Sequence, residues 1–295
     1  MATQRRPLCA DLSRDNSEPL TATASRIDGW LLVEYRRLWG RMPLDGSSLS
    51  EAAKRHVRAQ LAAAAPARLL FVKRPERRGS DGIRVYHGRT PERDARFFGH
   101  ELSRYDDLLG LELAANTGAT LEHPLFVVCT HGKRDRCCAV YGRPLFEALR
   151  DELDGDWVWQ CTHVGGDRFA GNLVVFPEGL YFGRVGPNDV PAVVDAYLDG
   201  RIHLDRYRGR CAYPFPVQAA EHAIRCDLDL AGIDDVALAR AERADDRWRV
   251  TFRTRDGALH ERTVGDELGE LTYLTCDAPV LRRPRRFRAL AEPAS

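Results

Sequence analysis

Apolar residues along this chain recur with two periods, and the switches between them mark out its elements. Residues 30–35, WLLVEY, form a mainly apolar run of strand length. The segment 50–64 is alanine-rich, opened by Ser50 and followed by Pro66, which predicts a helix with a serine cap. LLFVKR at 69–74 and IRVYHG at 83–88 read as two further strands across a Pro/Arg/Gly-rich turn. The first third of the chain is therefore expected to run β-α-β-β.

A second segment starts with PLFVVC at 124–129, crosses a charged loop and enters a helix near Pro144. There Leu145, Phe146, Leu149 and Leu153 keep the 3.6-residue period until Asp154-Gly155 stops it. WVWQCTH at 157–163 follows as a strand, then a Gly-Gly loop, NLVVF at 172–176, a Pro-Glu-Gly turn, LYFGRV at 180–185 and a helix over 190–200. This β-α-β-loop-β-β-α order is the plan of a thioredoxin-like domain. The first segment repeats part of that plan without clustered cysteines and is expected to be a degenerate copy packed beside it.

After Gly200 the chain turns basic and proline-rich, gives a helix over 217–226, and then RWRVTFRTRDGALHERTV, a hairpin turning at Asp256-Gly257. The expected class is α/β (α+β). An N-terminal α/β segment spans 1–115, a thioredoxin-like domain 116–204 and a small α+β appendage 205–295. The arginine run at 282–288 reads as a solvated tail.

Composition narrows the function. The 295 residues are 44% apolar and 29% charged, enough for a real core. Net charge is +1 with the signs interspersed, so no overall field draws the chain to nucleic acid or to a membrane. No apolar run approaches the roughly 20 residues of a membrane helix, and the N-terminus has no apolar stretch after its basic residues. A cytoplasmic protein is expected. In that reducing compartment, eight cysteines, four of them between Cys129 and Cys161, point to metal binding or redox chemistry rather than structural disulfides.

Cys129 ends an apolar strand and is followed by THGKRDRCC, so a second thiol returns across a loop too polar for the core. A soft thiolate pair suits zinc or an iron–sulfur cluster, and spacing alone does not choose between them. The next strand delivers Cys161 and His163, which at i and i+2 share a face, and after a Gly-Gly loop Asp167 arrives at i+4 from the histidine. Taken singly, Cys129 could be a core residue and Asp167 a helix cap. Taken together, Cys129, Cys138, Cys161 and His163 read as a metal site.

CTHGKRDRCC at 129–138 and HVGGDRFAGN at 163–172 resemble the sucrase/ferredoxin-like family, with weaker likeness from Cys9-Ala-Asp onward. The resemblance implies a thioredoxin-like ferredoxin domain holding a [2Fe–2S] cluster through two cysteines and an H-x-x-x-H pair. Carried across, the thiols are Cys129 and Cys138, the latter three residues after Asp135, and Cys137 is an extra thiol. The first histidine is His163. The second falls on Asp167, so the fourth ligand is either Asp167 or Cys161, the softer donor on the same strand.

Arg134, Arg136 and Arg168 flank these ligands and are expected to stabilise a reduced cluster or dock an electron partner. Asp135 should tie the loop by hydrogen bonds, and His131 should support the site from outside the ligand set. The expected role is electron transfer with an unidentified redox protein, without nucleic acid or membrane, self-association as a homodimer being left open. A structural zinc module on the same residues is the alternative, and a thiol-disulfide oxidoreductase, lacking the usual Cys-x-x-Cys, comes third. Sucrose hydrolysis, which the family's name suggests, needs two opposed carboxylates that the sequence does not identify.

Overall fold

The computed structural model describes residues 6–76 and 82–290, so the turn between the second and third expected strands lies partly outside the described residues. Helix α1 (Cys9–Asp15) leads to strand β1 (Gly29–Glu34), which is buried along its whole length. Burial on both faces follows from its place inside a sheet, which is why its sequence does not alternate. Helix α2 (Glu51–Ala63) starts where Ser50 accepts a hydrogen bond from the Ala53 N–H at 3.2 Å. Strands β2 (Ala67–Lys73), β3 (Ile83–Arg89) and β4 (Arg96–Leu102) complete this half. Its strand order is β2-β1-β3-β4, with only the β1–β2 pair parallel. Strand β4 escapes the periodic reading because Gly99, His100 and Glu101 interrupt its apolar positions.

A two-residue strand, β5 (Ala119–Thr120), closes the β4 edge. The second half follows as β6 (Leu125–Cys129), α3 (Arg136–Glu152), β7 (Val158–Cys161), β8 (Leu173–Phe176), β9 (Leu180–Phe182) and α4 (Val190–Leu198). Its order is β7-β6-β8-β9, again with only the first-named pair parallel. That is the thioredoxin-like arrangement, and the first half repeats it strand for strand. The two copies join edge to edge where β2 runs antiparallel to β7, pairing Val72 with Cys161 and Lys73 with Gln160. A free edge of each copy is thereby removed. Strand β10 (Tyr207–Arg210), inside the stretch read as appendage, adds to β9 and makes a ten-stranded sheet.

Three cores follow from this sheet. On one outer side α2 and the turn at 105–110 cover Leu31, Val33 and Phe71; on the other α3 and α4 cover Phe126, Val128 and Val175. The remaining faces of both halves share one core of Trp30, Leu32, Val72, Val127, Trp159, Val174 and Phe176. The Trp30 and Phe176 rings lie 4.9 Å apart although three strands separate β1 from β8, a distance of roughly 19 Å along a flat sheet. The sheet is therefore curled, with the helices outside.

Helix α3 begins eight residues before the expected start near Pro144. Its first turn is set by Asp135, whose side chain accepts from the Cys137 N–H at 2.9 Å, and Pro144 lies inside it. The two adjacent thiols Cys137 and Cys138 thus sit on a helix rather than in a loop. Gly142 lets this helix come close: a Cβ there would stand 2.1 Å from the Cys129 carbonyl oxygen.

The C-terminal part packs α5 (Phe215–Asp227) on a four-stranded antiparallel sheet of β11 (Val236–Ala244), β12 (Arg247–Thr254), β13 (Leu259–Leu268) and β14 (Arg285–Ala289). The hairpin turns at Asp256-Gly257 as expected, Gly257 taking φ +89°. The arginine run at 282–288 is not a tail: its second half is β14, paired with β13. Phe287 packs on the core with Arg285, two residues away on the same face, lying over its ring, while Arg285 and Arg288 pair with Asp266 and Glu267. No helix among the described residues is long and apolar enough to cross a membrane.

Candidate metal centre

Three elements of the second half end at one point. Cys129 is the last residue of β6, Cys138 lies in the first turn of α3, and His163 follows the end of β7. Their donor atoms all lie within 4.8 Å of one another. Asp167, on a short turn over 167–169, joins them: its Oδ1 accepts from the Cys138 thiol at 3.2 Å and stands 2.8 Å from His163 Nδ1. That second contact lacks the alignment of a hydrogen bond, and His163 Nδ1 has no hydrogen-bond partner among the described residues. Cys129, Cys138 and Asp167 are buried, whereas the His163 side chain keeps 25% of its surface exposed.

The charges of these groups are set by each other. Contact with the Cys138 thiol holds Cys129 well below the usual thiol range, against the effect of burial and with help from His163. Contact with Cys129, burial and the neighbouring Asp167 push the Cys138 thiol well up. Burial disfavours the His163 imidazolium, but contact with Asp167 and Cys129 outweighs it and raises the group to about 9. A metal ion or cluster would replace these protons as the partner of the thiols and the imidazole.

The loop carrying His163 and Asp167 is supported from beneath. Gly165 and Gly166 take φ +100° and +78°, and a Cβ on Gly166 would stand 2.3 Å from Arg208 Nη2. Arg208 is completely buried; it donates to the Gly165 carbonyl at 3.1 Å, to Asn172 Oδ1 at 2.8 Å and to Thr23 Oγ1 at 3.0 Å. Asn172 Nδ2 in turn donates to the Gly166 carbonyl at 2.9 Å, and Arg68 donates to the Val164 carbonyl. Sequence reasoning missed Arg208. Within the basic stretch RYRGR nothing in its spacing separates a buried guanidinium from surface ones.

Other candidates fall elsewhere. Cys161 lies opposite Cys129 in the β6–β7 ladder and borders the same core as Cys129 and Cys138, but burial pushes its thiol up and it stands outside the group of Cys129, Cys138 and His163. Arg168 turns to Glu18, with Nε at 2.9 Å and 3.0 Å from the carboxylate oxygens, and stacks on Phe169. Arg136 donates to the Arg6 carbonyl at 3.3 Å, and Arg134 is half-buried on the approach to α3. His131 is buried with Nε2 2.9 Å from the Gly40 carbonyl oxygen and its ring edge-on to Trp39.

Two thiols and one imidazole, with the Asp167 carboxylate against Cys138 and His163, form a donor set compatible with iron–sulfur binding. Against known proteins, the sequence model of the Sucrase/ferredoxin-like family matches residues 20–209, more than half of the chain. "Altered inheritance of mitochondria protein 32" of Meyerozyma guilliermondii is 42% identical over 95 residues, covering 29% of this chain and 34% of that protein. The protein of the same name from Eremothecium gossypii is 30% identical over 110 residues, covering 32% and 35%. The chain thus spans about a third of the length of these curated relatives. A thioredoxin-like [2Fe–2S] ferredoxin from Aquifex aeolicus is 20% identical, with 32% of this chain and 97% of that one covered and a TM-score of 0.28.

Proposed function

This chain belongs to the sucrase/ferredoxin-like family, and from that premise we propose that it is a one-electron carrier with a [2Fe–2S] cluster held by Cys129, Cys138, His163 and Asp167. The observation that carries this reading is the convergence of two buried thiols and an imidazole, with a carboxylate against them, at the meeting point of β6, α3 and β7. When bound, the cluster would supply a site that gains and loses a single electron.

The chain's own residues account for the rest. The neighbours of Cys129 hold its thiol below the usual range, which favours the deprotonated form that a metal needs. Arg208 and Arg68 fix the carbonyls of the 164–166 loop and so hold His163 and Asp167 in position. The exposed quarter of His163 is the place where a redox partner could approach. An aspartate in place of a second imidazole keeps more negative charge at the centre, and the potential should lie below that of a two-histidine site.

Anaerobic purification with iron, acid-labile sulfide, visible and electron-paramagnetic-resonance analysis tests the reading. The wild type should carry two irons and two sulfides per chain, Cys138→Ser should lose them, and Cys161→Ser should keep them. A colourless wild type would sink it. Zinc bound by the same donors would instead support a mononuclear site, which the 4.8 Å grouping also accommodates.

A further inference from the structure

A second set of donors gathers on the other side of the same helix start. Cys9 opens α1, Cys137 lies in the first turn of α3, and Cys276 comes from the loop between β13 and β14. Their sulfurs form a triangle of 3.5 Å (Cys9–Cys137), 3.3 Å (Cys137–Cys276) and 3.7 Å (Cys9–Cys276), and none is disulfide-bonded. The Asp135 carboxylate completes the group, its oxygens 3.8 Å and 3.9 Å from the Cys9 sulfur, and the donor atoms of all four residues lie within 4.8 Å of one another. All four residues are buried, at no more than 4% exposure.

Two features separate this group from an accidental meeting of thiols. Sulfurs around one tetrahedral ion with metal–sulfur bonds of about 2.3 Å stand about 3.8 Å apart, close to the edges of this triangle. Asp135 is also oriented: one oxygen accepts from the Cys137 N–H at 2.9 Å and the other from the Cys276 N–H at 2.6 Å. Each oxygen keeps a lone pair, and no lysine or arginine pairs with this buried carboxylate among the described residues. A buried carboxylate without a cation is costly, and a divalent ion bound by neighbouring thiolates would compensate it.

We propose that Cys9, Cys137, Cys276 and Asp135 form a second metal site, distinct from the Cys129/Cys138/His163 centre, that takes a single thiophilic divalent ion of the zinc class. Four protein ligands make it a closed, structural site with no position for substrate. It staples α1 and the C-terminal loop, 267 residues apart in sequence, to the first turn of α3. Cys137 and Cys138 are consecutive, so one helical turn serves both centres, and the ion would hold Cys138 in place through its neighbour.

Metal analysis of the anaerobically purified full chain, with cobalt(II) as spectroscopic probe, tests this. The double variant Cys129→Ser/Cys138→Ser, which lacks the first centre, should retain one zinc-class ion per chain. Its metal-free form should take up one equivalent of Co2+ with an intense thiolate-to-metal band and the visible bands of a tetrahedral ion. Adding Cys276→Ser or, as a second variant removing a ligand from another element, Cys9→Ser should abolish that uptake while circular dichroism reports the fold. The site is overturned if the double variant holds no ion and gives no thiolate band. It is equally overturned if folded triple variants bind cobalt as before, or if alkylation and mass spectrometry of the anaerobic wild type find two of the three thiols joined as a disulfide. Loss of iron alone from the wild type would count against the first centre and leave these readouts unchanged.

Discussion

At the scale of single residues, environment decides chemistry that residue type leaves open. His163 in the metal-free chain is raised from 6.5 to about 9 by Asp167 and Cys129, so it is the folded state that holds the extra proton. The stabilisation is therefore complete below pH 6.5 and is lost as the pH rises through 9. Urea unfolding of the metal-free chain should show this decline, and His163→Gln should flatten it. Loading must displace the same proton, so metal uptake should strengthen toward pH 9. Arg208 gives a second residue-scale prediction. Arg208→Met strips donors from the Gly165 and Thr23 carbonyls and from Asn172, and should cost about 3 kcal/mol in chemical unfolding. Iron content should fall with it, because the loop bearing His163 and Asp167 loses its support.

Elements turn those residues into a site, and here the position of α3 is decisive. The helix reaches the end of β6 only because position 142 carries no side chain. Gly142→Ala would gain a few tenths to 1 kcal/mol in helix propensity, yet its methyl group meets the Cys129 carbonyl, so α3 must withdraw and take Cys138 with it. The expected outcome is a net loss of about 1–3 kcal/mol and at least a tenfold weaker hold on metal, measured by chelator competition. The sequence reading placed the start of this helix at Pro144 because periodic apolar residues begin there. The preceding two turns, 136–143, are held by the Asp135 cap and by contacts of Cys137 and Cys138, which leave no periodic signal. The same reasoning covers β14, whose alternation is hidden by arginine at most of its positions.

At the scale of the molecule, two copies of one plan share a curled sheet and a common inner core. Trp30 of the first half packs against Phe176 of the second, so the halves cannot unfold independently of that contact. Trp30→Ala should cost about 3–5 kcal/mol and lower the stability of both halves together. A single unfolding transition, followed by both near-ultraviolet circular dichroism and loss of the visible chromophore, checks this. Two separated transitions would show the joint at β2–β7 to be weaker than this packing requires.

The sequence by itself determined the order of the main elements and the thioredoxin-like plan of the second half, and it singled out Cys129, Cys138 and His163 with Asp167 or Cys161 as the fourth donor, because apolar periodicity, glycine turns and a compact motif are all local signals. Only the tertiary structure decided that the first half has the same strand order, that Cys161 stands outside the group of Cys129, Cys138 and His163, that Arg208 lies under the glycine loop, and that Cys9, Cys137 and Cys276 meet. Each of these depends on residues brought together from distant parts of the chain, and the curl and edge pairing that bring them together leave no periodic trace in any one segment.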